Sequence, residues 1–393
     1  MDSLQFCAET LAAYGASESE IQELLIYNQN VFDRPLLEDL YQPQSEPYLA
    51  TWEQYAQESA TVGAYATLKS YLVQLQFPIL AGISETADYR AATRKGHSTE
   101  EMKTATGLVL LEPEQLQLYI YPTLAGAIPV IVAGNRADFV SLIQALTKRN
   151  EPQFVPDSMG SCIVAGYNNW HRVHQYQQQW LDKNQNQCNN TDWAVEWQRL
   201  IQRPELYRDR FILLSRGAYS NVTATELGLD EQQWLELSFK IRLEHECTHY
   251  VTRRWFGSMR NNILDELIAD YRGIVSAIGD YRADWFLHFA GLEGFPAYRQ
   301  GGRLENYRGE PPLSEAAFKV LQGLVKTAAE NLEKFERKYS QSVKKSHPEM
   351  AILIALTTLR LEELASEQAV SLIEAAVNYY QKIITLTRNP DKL

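Results

Sequence analysis

The chain has 393 residues, room for two domains of ordinary size or one large one. Its 49 acidic residues outnumber 37 basic ones, for a formal charge of −12, and Lys and Arg form no run or stripe. Nucleic acid and anionic membrane surfaces are therefore not expected as partners, since both are held by concentrated positive charge.

Residues 1 to about 75 read as helical. Leu4, Leu11, Ile21, Leu24 and Leu25 recur at helical spacing, and a second stretch runs from about Tyr48 to Leu75. Pro35, Pro43 and Pro47 mark a long connection between them. The start, MDSLQFCAETLAAYG, lacks the basic residues and apolar stretch of a secretory leader. No apolar run reaches the roughly 18 residues of a membrane span. The expected location is cytoplasmic, and the N-x-S/T triplets at Asn189 and Asn221 then carry no meaning. Cys7, Cys162, Cys188 and Cys247 are too dispersed for a disulfide framework or a cysteine zinc site.

Four short β-rich runs bounded by Gly and Pro predict strands at Phe77–Ile83, Thr106–Leu111, Leu116–Thr123 and Ile128–Gly134. Asn135 is placed to cap a helix over Arg136–Leu146. No glycine-rich nucleotide loop is present. The stretch Pro156–Ser161 reads as a turn rather than a serine nucleophile, because it lacks the G-x-S-x-G pattern. His171 and His174 lie three apart on a predicted helix, and without a third ligand a plain surface helix is the better account. Residues 177–193 are rich in Gln and Asn, which suggests a linker and a boundary near 185. The expected division is thus an α+β module over 1–185 and a second region over 186–393.

In that second region Arg210–Ser215 predicts a strand, about Asp230 to Phe256 a long helix, and about Asn262 to Ile278 another, capped by Asn261 or Asn262. Helices are expected over about Ser314–Lys344, Pro348–Leu364 and Ser366–Leu386, with apolar stripes suited to bundle packing. The predicted class is α+β, mostly helical.

The long helix carries His245-Glu246-Cys247-Thr248-His249. Residues four apart on a helix share a face, so both imidazoles can reach one ion, and zinc takes imidazole nitrogen readily. Glu246 stands at the edge of that face, placed to take a proton rather than to bind metal. Cys247 faces away and reads as a small buried apolar residue. The next helix carries Glu266 and, one turn later, Asp270. If the two helices meet in a tight turn, His249 and Glu266 lie roughly 10 and 7 Å from it on antiparallel axes and face each other at similar height. Glu266 is then the third ligand, with Asp265 its nearest rival. Asp270 is placed to accept a hydrogen bond from the far nitrogen of a ligand histidine, or else to pair with Arg253, Arg254 or Arg272. Three protein ligands leave a fourth position open, the arrangement of a catalytic zinc site.

The pattern H-E-x-x-H followed by E-x-x-x-D resembles the gluzincin clan of zinc metallopeptidases, the thermolysin-like group, over about Arg210–Gly279. The resemblance implies His245, His249 and Glu266 as Zn2+ ligands, Glu246 as general base and Asp270 as the carboxylate that aims a ligand histidine. It also implies a zincin-like core over about 205–310, buttressed by C-terminal helices over about 313–388. In such proteins an oxyanion-stabilising group lies downstream, and His288, Tyr298, Arg303 and Tyr307 are the candidates. An edge strand ahead of the metal helix, here Phe211–Ser215, would line the cleft and pair with extended substrate. The activity implied is hydrolysis of a peptide or protein substrate. The competing expectation is a non-catalytic scaffold or interaction protein, in which the metal ties the two helices together.

Overall fold

The computed structural model of the chain describes residues 3–33, 44–184, 190–342 and 348–388. In chain order the elements are α1 (Ser3–Ala13), α2 (Glu18–Tyr27), α3 (Leu49–Val62), α4 (Ala64–Tyr71), α5 (Ala87–Lys95), β1 (Gln117–Thr123), β2 (Gly126–Val132), α6 (Arg136–Thr147), β3 (Ser161–Asn168), α7 (Trp170–Lys183), α8 (Asn190–Leu200) and β4 (Arg208–Leu214). They continue with α9 (Glu231–Phe256), α10 (Asn262–Ile278), α11 (Ala283–Ala290), α12 (Glu315–Ser342), α13 (Pro348–Thr358), α14 (Leu361–Ala365) and α15 (Ala369–Arg388). The fold is α+β and mainly helical. No helix among the described residues is long and apolar enough to cross a membrane.

The chain forms two compact units, one of Met1–Pro43 with Ala218–Leu393 and one of Gln44–Gly217. These units do not part at 185. That position, like Cys188 and Asn189, lies outside the described residues. Two packing facts explain the difference. The strand after the expected linker, β4, is an inner strand of the sheet. The first two helices pack with the C-terminal ones, where the Tyr14 hydroxyl donates to the Ala365 carbonyl at 2.9 Å and Asn28 Nδ2 donates to Glu362 Oε1 at 2.9 Å.

In the sheet unit the strand order is β1-β2-β4-β3, with β1 and β2 a hairpin, β2 parallel to β4, and β3 antiparallel to β4. Phe211 and Leu213 on β4, Ile131 on β2 and Phe139 and Leu142 on α6 are buried in a shared core with Trp52 and Tyr55 of α3. Because β4 has a partner on each side, it offers no free edge to a substrate strand, which corrects the expectation for Phe211–Ser215. The runs at 116–123 and 128–134 are strands; those at 77–83 and 106–111 are not. Leu108 and Leu110 are buried and Val109 and Leu111 exposed, the alternation of a strand. Their backbone donors, however, are satisfied elsewhere. Leu108 N–H goes to the Leu75 carbonyl, and Leu111 and Glu112 N–H go to the two carboxylate oxygens of Asp138 at 2.6 and 3.0 Å.

In the other unit, α9 begins at Asp230, whose carboxylate accepts from Gln233 N–H at 2.9 Å. It ends at Gly257, which takes the left-handed conformation at φ 71°. The turn into α10 is braced by the N-terminal segment. Asp33 N–H donates to the Phe256 carbonyl at 2.9 Å, Asn261 Nδ2 donates to Asn30 Oδ1 at 3.1 Å, and Asn262 Nδ2 donates to the Tyr27 carbonyl at 2.6 Å. Gly273 lets α9 and α10 approach closely, because a Cβ there would stand 2.8 Å from the Ile241 carbonyl oxygen. The C-terminal helices form as expected, except that the stretch 348–364 breaks between α13 and α14.

Candidate metal centre

The close approach at Gly273 sets a register along the two antiparallel helices. Moving up α9 and down α10, Ile241 meets Gly273, His245 meets Asp270, and His249 meets Glu266. The last two pairs carry the chemistry. His245, His249 and Glu266 are each less than one tenth exposed, and their ligand atoms lie within 4.8 Å of one another. This buried group can hold a metal ion.

The distances test the fit. His245 Nε2 lies 3.0 Å from His249 Nε2. The Glu266 carboxylate straddles the pair, with Oε2 3.6 Å from His245 Nε2 and Oε1 3.2 Å from His249 Nε2. An ion with donors about 2.0–2.1 Å away at tetrahedral corners has donor–donor edges of about 3.3 Å. The observed separations lie on either side of that edge, with the two carboxylate distances on different oxygens, so the three side chains stand close enough to share one ion.

An acidic side chain stands behind each histidine, but only the one behind His245 makes a hydrogen bond to the ring. His245 Nδ1 lies 2.7 Å from Asp270 Oδ1, which commits Nε2 to the ligand side. Asp270 is fully buried, and the Tyr219 hydroxyl donates to its Oδ1 at 2.6 Å while Arg303 donates to Oδ2. Arg303 also donates to the Tyr219 hydroxyl at 2.9 Å and to Ser220 Oγ at 3.2 Å. Tyr219 is held in turn by its own N–H, which donates to Ser238 Oγ on α9 at 3.0 Å. Behind His249, Asp265 Oδ2 stands 3.5 Å from Nδ1, a ring nitrogen that makes no hydrogen bond among the described residues. The other Asp265 oxygen accepts the Asn261 N–H at 2.7 Å, as a helix-entry contact. Asp265 is thus behind the histidine rather than beside Glu266, which removes it as a rival third ligand.

Burial drives His245 down to about 3, so it is neutral and its lone pair is free to bind a metal. Burial also pulls His249 down, but the Glu266 hydrogen bond and the charges of Glu266, Asp265 and Glu246 outweigh it and hold His249 at about 9. Glu266 moves the opposite way. Burial raises it, yet the two imidazoles and Arg303 together keep it well below the usual carboxylate range. Burial lifts Asp265 to about 7, with His249 opposing.

Glu246 is buried beside His245, and its charge is felt at both imidazoles. Cys247 is buried as well, and burial pushes its thiol far up. The downstream candidates separate. His288 is held by the Asp284 carbonyl at 2.8 Å from Nδ1, and Arg299 binds its carbonyl, so its contacts are local rather than with the triad. Tyr298 ties its own loop, donating to the Gly302 carbonyl at 2.8 Å and accepting from Glu305 N–H at 3.0 Å. Arg303 is engaged with Asp270. Tyr307 lies near enough to Glu266 that burial and that carboxylate hold its phenol far above its usual range. Arg272, one of the expected partners of Asp270, pairs instead with Glu349 at 3.1 Å.

The chain belongs to the family of unknown function DUF7005, whose model matches residues 9–368. That match takes in both compact units. No curated protein and no solved structure matches the chain. Sequence reasoning missed Tyr219 in the support of His245, and it placed Arg303 as an oxyanion candidate rather than as the cation on Asp270. A fully buried carboxylate already bonded to a neutral imidazole needs a cation nearby. That requirement was legible; which arginine meets it was not.

Proposed function

We propose that this protein is a zinc-dependent hydrolase that cuts an amide, most simply a peptide bond in a peptide or protein substrate. The observation that carries the reading is the convergence of His245 Nε2, His249 Nε2 and the Glu266 carboxylate at separations of 3.0, 3.2 and 3.6 Å, with Glu246 buried on the same helix as the two histidines. His245, His249 and Glu266 hold the ion. When bound, zinc supplies Lewis acidity that makes water a nucleophile near neutral pH and polarises a carbonyl. The Glu246 carboxylate takes the proton of the attacking water and delivers it to the leaving amine nitrogen. Asp270, fixed by Tyr219 and Arg303, holds His245 in one tautomer throughout. Tyr307, whose phenol stands near the Glu266 carboxylate, is the choice among the downstream candidates for stabilising the carbonyl's developing charge.

A second reading rests on the burial of all three ligands: an ion that ties α9 to α10 and does no chemistry. Metal content, turnover and one variant separate the two. Protein purified without chelator should contain about one zinc per chain by plasma mass spectrometry. Glu246→Gln should keep that zinc and the fold while abolishing cleavage of a quenched peptide library. Absence of zinc removes both readings. Zinc without turnover in the wild type, together with unfolding on chelation, selects the scaffold.

A further inference from the structure

The sheet unit carries a cleft unrelated to the metal centre. It has a volume of about 320 Å³ and lies between the end of α5 and the helices α7 and α8. Arg94 and Lys95 flank it on one side, and Trp170, His174, Trp193 and Trp197 form much of the rest. Four of the chain's eight tryptophans lie on α7 and α8. Trp170 stacks on Trp197 with centroids 5.6 Å apart and planes 18° from parallel. Trp193 follows at 6.3 Å from Trp197. Trp170 is fixed in place, since its Nε1 donates to the Thr93 carbonyl at 2.8 Å. It lies so close to the end of α5 that a Cβ on Gly96 would stand 2.2 Å from the indole. This contact holds the Arg94–Lys95 pair against the tryptophans.

We infer that this cleft binds a small planar aromatic anion. The indole walls suit a flat apolar body, and the volume sits at the low end of ordinary ligand sites, which implies a single small molecule. Charge decides the rest. A tryptophan-lined site is otherwise suited to a cation, but here two adjacent exposed cations stand at the mouth. Neither has a carboxylate partner among the described residues, in a chain with 49 acidic side chains. They attract a carboxylate, sulfonate or phosphate and repel an ammonium group.

Isothermal titration calorimetry of the full chain tests this with three probes of one shape: 1-naphthoate, 1-naphthalenemethanol and 1-naphthylmethylammonium. One-to-one binding of naphthoate is expected, at least about fivefold tighter than the neutral alcohol, with the ammonium weaker still. Arg94→Gln with Lys95→Gln, both on exposed side chains, should bring naphthoate to the affinity of the alcohol and leave the alcohol unchanged. Trp197→Leu should weaken both, with circular dichroism to verify the fold. No saturable binding of naphthoate at millimolar concentration overturns the proposal. So does equal binding of naphthoate by the double variant and the wild type. Zinc content does not enter either outcome, so failure here leaves the hydrolase reading standing, and the reverse also holds.

Discussion

Asp270→Asn probes the support of the metal centre without touching a ligand. In the wild type the carboxylate takes three donors: His245 Nδ1–H at 2.7 Å, the Tyr219 hydroxyl at 2.6 Å, and Arg303. An amide keeps the volume but offers one acceptor oxygen, and its NH2 meets donors on the other side. Either His245 or Arg303 loses its partner. If it is His245, the ring is free to flip or change tautomer, and Nε2 no longer faces His249 and Glu266. Loss of such a carboxylate costs on the order of 10- to 100-fold in metal affinity, or about 1.4 to 2.7 kcal/mol. Competition with a chromophoric chelator measures it directly. Denaturant unfolding of the metal-free protein, run alongside, measures the separate cost of leaving Arg303 unpaired. A metal affinity within about twofold of wild type would show that Asp270 does not position His245, and the assignment of the support would fail.

Three further outcomes follow from other parts of the molecule. Zinc affinity should rise by about tenfold per pH unit between pH 6 and 8, because the proton that His249 keeps up to about 9 must leave before Nε2 can bind; a flat profile refutes this. Glu362 is fully buried, and burial lifts it to about 7 against an ordinary 4.5, so the folded chain binds its proton more tightly. Its contribution to stability is full below about pH 4.5 and is lost as pH rises to about 7. Glu362→Gln should therefore stabilise by about 1–3 kcal/mol at pH 8 and change little at pH 4, as read by urea unfolding. Asp209→Ala should destabilise the sheet unit by about 3–5 kcal/mol, since it strands buried Arg172, which now pairs at 2.5 Å, together with the Trp52 and Asn169 donors at 2.8 and 2.7 Å. The matching fall in Tm is about 6–20 °C; a loss under about 1 kcal/mol would mean the cluster is not a structural tie.

The grouping of His245, His249 and Glu266, with Asp270 behind it, was largely readable because its determinants are local. A four-residue spacing on one helix, a glycine stop at 257 and a capped second helix define the relative heights of His245, His249, Glu266 and Asp270 before any tertiary contact is known. Tyr219 and Arg303 were not assignable to that support, because they come from segments 26 residues upstream of His245 and 33 residues downstream of Asp270, and only packing brings them together. The sheet shows the same limit. Leu116–Thr123 and Ile128–Gly134 carry both the apolar pattern and a short turn between them, so the hairpin follows from sequence. Strand β3 has only the short apolar run Cys162–Ala165, followed by Gly166 and a register shift between Ala165 and Tyr167. It is a strand because β4 supplies a neighbour. Residues 106–111 fail to be one although their side chains alternate, because Asp138 takes backbone donors that a neighbouring strand would otherwise have used.

The charges around the triad give an independent reason to place a divalent cation there. Glu246, Asp265, Glu266 and Asp270 are all buried within two helices, and Arg303 offsets one of them. The field of the remaining carboxylates is strong enough to keep His249 protonated against full burial, up to about 9. An imidazolium is a poor answer to that field. Its positive charge is single and spread over a ring, and its Nδ1 still lacks a hydrogen bond. A compact divalent ion on the ligand side delivers twice the charge, uses the lone pairs of both imidazoles, and leaves each far nitrogen a proton to donate, to Asp270 from His245 and toward Asp265 from His249. A helix pair selected only for packing would have no cause to gather four carboxylates around two facing ring nitrogens, because each buried charge costs free energy until it is paired. A metal ion held by His245, His249 and Glu266 would supply such a pairing charge.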